Sequence, residues 1–180
     1  MYMRLMVALV LVMGCIGPGS GKDSDPAAVC DPTATPVCDC EAPSLDIGDG
    51  NELFVPLNPG QEVVLVHGPQ GGWHVLASAV VHNTDTIVRL DYTIDVLPDL
   101  TRVSTSLLNV MLANWSDCQG SYWNLLGILD VSALAVGEAD TPEVLVGREL
   151  RLTLSATDGE GRVAASSVDV VAAADPSDVD

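Results

Sequence analysis

From residue 52 onward, apolar and polar side chains alternate with a period of two rather than 3.6. Between Thr86 and Val96, the residues Val88, Leu90, Tyr92, Ile94 and Val96 fall on one face, and Arg89, Asp91, Thr93 and Asp95 on the other. Between Arg148 and Thr157, Leu150, Leu152, Leu154 and Ala156 alternate with Glu149, Arg151, Thr153 and Ser155. Successive side chains of an extended chain leave opposite faces, so each run reads as a strand with one buried side. Less regular runs predict strands over 52–57, 61–67, 73–82, 103–113, 122–129 and 162–172. The run 73–82 is apolar on both faces in its middle, which suits a central strand.

Turn residues punctuate these runs. Asn58-Pro59-Gly60, Gly68-Pro69-Gln70-Gly71-Gly72, Asn83-Thr84-Asp85 and Asp158-Gly159-Glu160-Gly161 each separate two of them. Short strands at this spacing, with no convincing helix, predict an all-β antiparallel sandwich of about seven to nine strands. The closing hairpin, roughly 148–172, resembles the last two strands of immunoglobulin-like or fibronectin-like bacterial envelope modules. The resemblance implies an immunoglobulin-like sandwich. The Cys…Trp…Cys core signature of antibody domains is absent, so an antibody-type domain is not implied.

The ends of the chain differ from this middle. Arg4 precedes an apolar run, Leu5 to Met13, far shorter than the roughly 20 residues a spanning helix needs. It fits the core of a signal peptide. The run ends in Val12-Met13-Gly14-Cys15, which resembles the lipobox of bacterial lipoproteins through Val12, Gly14 and Cys15. Met13 is a less usual residue at its position in that motif. The resemblance implies a signal peptide over 1–14, a lipidated Cys15, and a protein anchored to a membrane and facing the periplasm or cell exterior. Residues 15–43 are rich in Gly, Pro, Ser, Asp and Ala and read as a tether. The sandwich is expected over 44–173, and 174–180 as an acidic tail.

Charge narrows the partners. The net charge is −18, from 25 Asp+Glu against 7 Lys+Arg. Removal of residues 1–14 would take away one cation and no anion. A phosphate backbone requires a cationic footprint, so nucleic acid is not an expected partner. Anionic lipid headgroups are disfavoured in the same way.

Beyond Cys15 the cysteines are Cys30, Cys38, Cys40 and Cys118. An even count in an exported chain points to two disulfides. A ring between Cys38 and Cys40 would strain the bond geometry. Two pairings remain: 30–38 with 40–118, or 30–40 with 38–118. Either ties a loop of the domain to the end of the tether. Zinc on these cysteines is the alternative, but their spacing matches no knuckle pattern.

Three groups of residues are candidates for recognition. Trp115, Tyr122 and Trp123 flank Cys118 and make up half the aromatic residues beyond the leader. On a disulfide-held loop they would form a ligand-binding platform for a glycan, with Asn114, Asp117 and Gln119 supplying hydrogen bonds. Alternatively they seal one end of the core. His67 and His74, across a glycine-rich turn, would approach one another in a hairpin and could share zinc or copper if carboxylates helped; His82 is too far along the strand to join them. Rim histidines capping turn groups are the alternative. Asp46, Asp49, Asn51 and Glu52, or Glu138, Asp140 and Glu143, could hold calcium, though neither set follows the EF-hand order.

The string Gly68-Pro69-Gln70-Gly71-Gly72-Trp73-His74 resembles a segment found in uncharacterised bacterial lipoproteins, which implies no particular function. Gly-x-Ser-x-Gly, His-Glu-x-x-His and phosphate-loop patterns are absent from the sequence. The expected protein is therefore a non-enzymatic binding or structural module of the cell envelope, without a cofactor. Its partner would be a protein or a glycan. A metal-binding protein using His67 and His74, or a carbohydrate-binding module using the Trp115/Trp123 loop, is the alternative.

Overall fold

The computed structural model of the protein describes residues 38, 41–50, 53–68, 72–134 and 141–176. Among these residues, ten strands form two five-stranded sheets: β1 (Ser44–Asp49), β2 (Glu62–Val64), β3 (Val66–His67), β4 (Trp73–His82), β5 (Ile87–Val96), β6 (Thr101–Met111), β7 (Ala113–Ser116), β8 (Gln119–Ile128), β9 (Glu149–Thr157) and β10 (Val163–Ala173). One 3-10 turn, Pro142–Leu145, lies between β8 and β9. The first sheet runs β1-β4-β8-β7, with β3 added beside β4; the second runs β2-β10-β9-β5-β6. The orders β1-β4-β8-β7 and β10-β9-β5-β6 correspond to A-B-E-D and G-F-C-C′ of a variable-type immunoglobulin sandwich. Among the described residues, no helix is long and apolar enough to cross a membrane.

The two regular sequence runs become β5 and β9, paired antiparallel at the centre of the second sheet. Their inward residues Leu90, Tyr92, Ile94, Leu150, Leu152, Leu154 and Ala156 are fully buried. They face Val75, Ala77, Ala79 and Val81 of β4, equally buried. Gly127 of β8 lies where the sheets approach most closely. A Cβ there would sit 2.5 Å from Ile94 Cδ1 and 2.7 Å from Tyr92 Cε1. The strand can pass the Tyr92 ring only because Gly127 has no side chain.

The structure departs from the sequence expectation in four places. The strand expected over 52–57 is absent: among its described residues only Pro56 bridges, to Gly48, and Pro56 has no N–H to donate to a ladder. Its place at the sheet edge is taken by β1, whose Leu45 and Ile47 are buried. The run 61–67 breaks at Leu65 into β2 and β3, because the chain leaves the second sheet to join the first. In doing so β2 pairs parallel to β10, so the sandwich is not purely antiparallel. The run 103–113 ends at Met111, and Leu112 forms a corner whose N–H donates to the Thr86 carbonyl. Beyond the corner the chain changes sheets as β7.

On the outer face of the second sheet, four charged residues form one row. Register places Asp95 opposite both Arg102 and Arg151, and Arg151 opposite Asp169. Arg102 donates Nε and Nη2 to the two oxygens of Asp95. Arg151 donates to Asp169 at 2.7 and 2.8 Å. Signs alternate across β6, β5, β9 and β10, so each inner charge has an opposite neighbour on both sides.

Candidate functional site

One end of the sandwich is built around Cys118. Asp117 and Cys118 both take positive φ, 47° and 59°. That is the two-residue loop whose twist suits an antiparallel hairpin, here β7 to β8. The expected aromatic loop is therefore a tight turn between paired strands. Cys118 is bonded to Cys38, 80 residues away in sequence. Of the two pairings left open by the sequence, the 38–118 bond belongs to the one that also joins Cys30 to Cys40. Cys15, Cys30 and Cys40 lie outside the described residues.

Hydrogen bonds hold the disulfide end together. The Asn83 N–H donates to the Cys118 carbonyl at 2.7 Å. Arg162 donates Nη1 to the Cys38 carbonyl at 3.5 Å and Nε to Asp158 at 2.8 Å. The Asp158 side chain is fully buried, and it also accepts the backbone N–H groups of Glu160 and Arg162. Arg162 thus links the turn between β9 and β10 to the segment that arrives from the N-terminus. This buttress was not singled out in the sequence. Its signal was the Asp158–Arg162 spacing around two glycines, which closes a hairpin over one carboxylate.

The three aromatic candidates do not all pack against the core. Trp115, on β7, and Tyr122, on β8, pack against the buried core. The Trp115 ring lies where a side chain on Gly120 would go, 2.8 Å from a Cβ there. Trp123 is not among the hydrophobic residues packed against that core. A register shift between Ala77 and Ala79 marks a bulge in β8 beside it. The Asn124 N–H donates to the Gly50 carbonyl, which holds Gly50 against β8. The Trp123 Nε1 is buried and has no acceptor among the described residues.

The histidines occupy β3 and β4 as a hairpin, as the sequence suggested, but register separates them. His67 opposes Trp73, and Val66 opposes His74. His67 stacks on Trp73 with ring centroids 4.7 Å apart and an interplanar angle of 18°. His74 leaves the other face of the hairpin, and partial burial lowers its pKa from the ordinary value. The Gly68 N–H donates to the Gly72 carbonyl at 2.7 Å. His82 lies 3.6 Å from Asp46. Asp46 and Asp49 belong to β1 rather than to a loop; Asn51, Glu52, Glu138 and Asp140 lie outside the described residues. Among the described residues, no three His, Cys, Asp or Glu side chains gather at a position to hold a metal ion.

The end opposite the disulfide carries a cavity of about 430 Å³. The turn from Val96 to Thr101 lines it on one side, and Leu134, Arg148 and Glu149 on the other. The Thr141 hydroxyl, hydrogen-bonded to Glu143 at the nearby 3-10 turn, holds that carboxyl below its usual range.

These features define a class: a two-sheet immunoglobulin-like sandwich clamped at one end by a disulfide to the segment that precedes it. No family model matches the chain, and no curated protein does. Among solved structures, the CooA pilin subunit from enterotoxigenic Escherichia coli has a similar backbone, at 13% identity and a TM-score of 0.38. The match covers 74% of this chain and 99% of that one.

Proposed function

We propose that the protein is a lipoprotein of a bacterial envelope, acylated at Cys15, that acts outside the cytoplasm as a non-enzymatic binding or assembly module. The observation that carries this reading is the Cys38–Cys118 disulfide. Such bonds persist in oxidising compartments and are rare in the cytosol. The order of residues 1–15 supports the same compartment: a cation, a short apolar run, a small residue, then cysteine. Acylation would supply the anchor, since each buried methylene contributes about 0.8 kcal/mol and several chains together hold firmly. The strong negative charge keeps such a domain soluble beside a membrane. Its partner would be a protein or a surface glycan.

The test is the intact mass of the protein extracted from its own membranes, with and without reductant. Acyl chains on Cys15, residues 1–14 removed and four hydrogens gained on reduction are expected. A chain that retains its N-terminus, or that carries free thiols, overturns the reading.

A further inference from the structure

β6 ends the second sheet, with β5 on one side and no strand on the other among the described residues. It is 11 residues long. The other strands that end a sheet are short or covered. β2, β3 and β7 have 3, 2 and 4 residues, and β1 exchanges hydrogen bonds with Val55 and Leu57. Alternation shows which backbone groups of β6 are left over. The Leu112 N–H donates to Thr86, the pair next after Met111 and Ile87, so the even-numbered residues of β6 direct their backbone groups at β5. Thr105, Leu107, Asn109 and Met111 direct theirs outward. At the other end of the strand, the Val103 carbonyl accepts the Asp130 N–H at 2.7 Å and closes the edge there.

Natural sheet edges are commonly guarded by lysine, proline or an inward-pointing charge. From Val103 to Ser116 this chain has no Asp, Glu, Lys, Arg or Pro, although its net charge is −18. Leu107 and Met111 are 59% and 72% exposed on the outer face. Leu108 opposes the fully buried Leu90 and so faces inward, yet it is 37% exposed. An inward leucine open to water at a strand edge is one that lacks a neighbouring strand. We propose that β6 pairs antiparallel with β6 of a second copy, about a two-fold axis at Leu108, which joins two second sheets into one. Only residues whose backbone groups point outward can exchange bonds across the seam. Full overlap of 105–111 sets Leu107 opposite Asn109 of the second copy, and Thr105 opposite Met111 of the second copy. Leu108 then meets its own counterpart in a non-hydrogen-bonded pair, with Cα atoms about 4.5 Å apart.

The flanking strand selects a second copy as the occupant. Asp91 lies beside Leu107, and Arg89 beside Asn109. In this register Asp91 of each copy shares a cross-strand row with Arg89 of the other, about three strand spacings or roughly 14 Å away. The rows therefore complement one another in sign, and β6 brings no charge of its own to the 105–111 seam. β6 is also already extended, so it adds without the ordering cost that a loose peptide would meet. A seam of this length falls short of the roughly 800 Å² per partner of a standard interface, so the dimer is weak and concentration-dependent. Tethering both copies to one membrane would raise their effective concentration and favour it. The pairing itself does not depend on acylation of Cys15.

The test is sedimentation equilibrium of the full chain in a mild detergent that covers its N-terminal apolar run, with amide hydrogen exchange on the same samples. The average mass is expected to rise with concentration from 18.8 kDa towards twice that value. The amides of Thr105, Leu107, Asn109 and Met111 should exchange fast in dilute solution and become protected as the mass rises. Those of Ser106, Leu108 and Val110 should stay protected throughout. Leu107→Pro removes an outward N–H, leaves the bonds to β5 in place, and should weaken the dimer at least tenfold. Leu108→Lys sets two like charges on the axis and should weaken it further. Circular dichroism with an intact Cys38–Cys118 bond confirms the folding of both variants. Ile128→Lys, at a 63% exposed position on the other sheet, should leave the equilibrium unchanged. A wild-type chain that stays at 18.8 kDa up to roughly 1 mM overturns the proposal. So does a dimer whose outward β6 amides keep exchanging fast, or one that survives both folded variants.

Discussion

Breaking the Cys38–Cys118 bond should remove a large part of the stability of the sandwich. The bond closes 80 residues of chain and so restricts the unfolded ensemble far more than a local crosslink would. The chain-entropy relation for a loop of that length gives about 4.5 kcal/mol at 25 °C. Domains of this size are stable by about 5–15 kcal/mol, so the loss amounts to about 30% or more of the total. With a urea m-value of about 2 kcal/mol per molar, the midpoint should fall by about 2 M. Urea unfolding followed by tryptophan fluorescence reads this directly, since Trp73 and Trp115 both pack against the core. Cys38→Ser and Cys118→Ser should lose the same amount, and the double variant no more than either, because all three remove one bond. Cys40→Ser provides the contrast. If Cys40 pairs with Cys30, its loss opens a loop of only ten residues, about 2.7 kcal/mol at most by the same relation. A loss under about 1 kcal/mol for Cys38→Ser would refute the closure argument. Equal losses for Cys40→Ser and Cys118→Ser, with Cys38→Ser near wild type, would refute the pairing.

Three further outcomes follow from buried polar groups. Tyr92 is fully buried and its hydroxyl has no hydrogen-bond partner among the described residues, so Tyr92→Phe should raise thermal stability by about 1 kcal/mol; a loss of that size would reveal a partner for the hydroxyl. Arg102→Met leaves the Asp95 side chain, only 9% exposed, without its two donated hydrogen bonds, and should cost about 2 kcal/mol in urea unfolding, while Arg102→Lys should recover only part. Arg151 holds the Asp169 carboxyl below its usual pKa, so the unfolded chain binds more protons on the acid side and that contribution fades as pH falls through the folded pKa. The stability difference between wild type and Arg151→Gln should therefore be largest near pH 6 and shrink below pH 4; a difference constant with pH would contradict the pairing.

How much of this was legible in the sequence depended on whether one strand or two decided the outcome. The faces of β5 and β9 could be read from alternation alone, because each strand is long and half-buried. Their expected inward residues, Val88 to Val96 and Leu150 to Ala156, are the buried ones. β1 was hidden by its carboxylates. Asp46 and Asp49 looked like a calcium loop, whereas Leu45 and Ile47 supply the buried apolar side chains of a short strand. The corner at Leu112 had no local signal, since it rests on a hydrogen bond to Thr86 in another strand. Register decided the histidines in the same way. The β3–β4 hairpin formed as expected, but with His67 opposite Trp73 the two imidazoles leave different faces. The aromatic cluster was divided by a feature without a local signal: β8 bulges at Trp123 and Asn124, which together oppose Ser78, so alternation alone does not fix where Trp123 lies.

The disulfide end also bears on where a partner can be met. Its polar groups are engaged within the chain: Asp158 with Arg162, Asn83 with Cys118 and Glu41, and Asp85 with the Gly159 N–H. If the chain is tethered through Cys15, this is also the end at which the tether arrives, because Cys38 is bonded there. β5 then runs ten residues away from it, about 33 Å, to the turn at Leu97–Leu100 and the cavity beside it. An anchored sandwich would present that far end and its two flat faces to the surroundings, with the crowded, self-satisfied end towards the membrane. The exposed aliphatics of β8 lie on one of those faces, and the row of alternating charges on the other. The arginines of that row are matched by carboxylates of their own chain, so the row is satisfied within the sheet and has no need of a partner's charges.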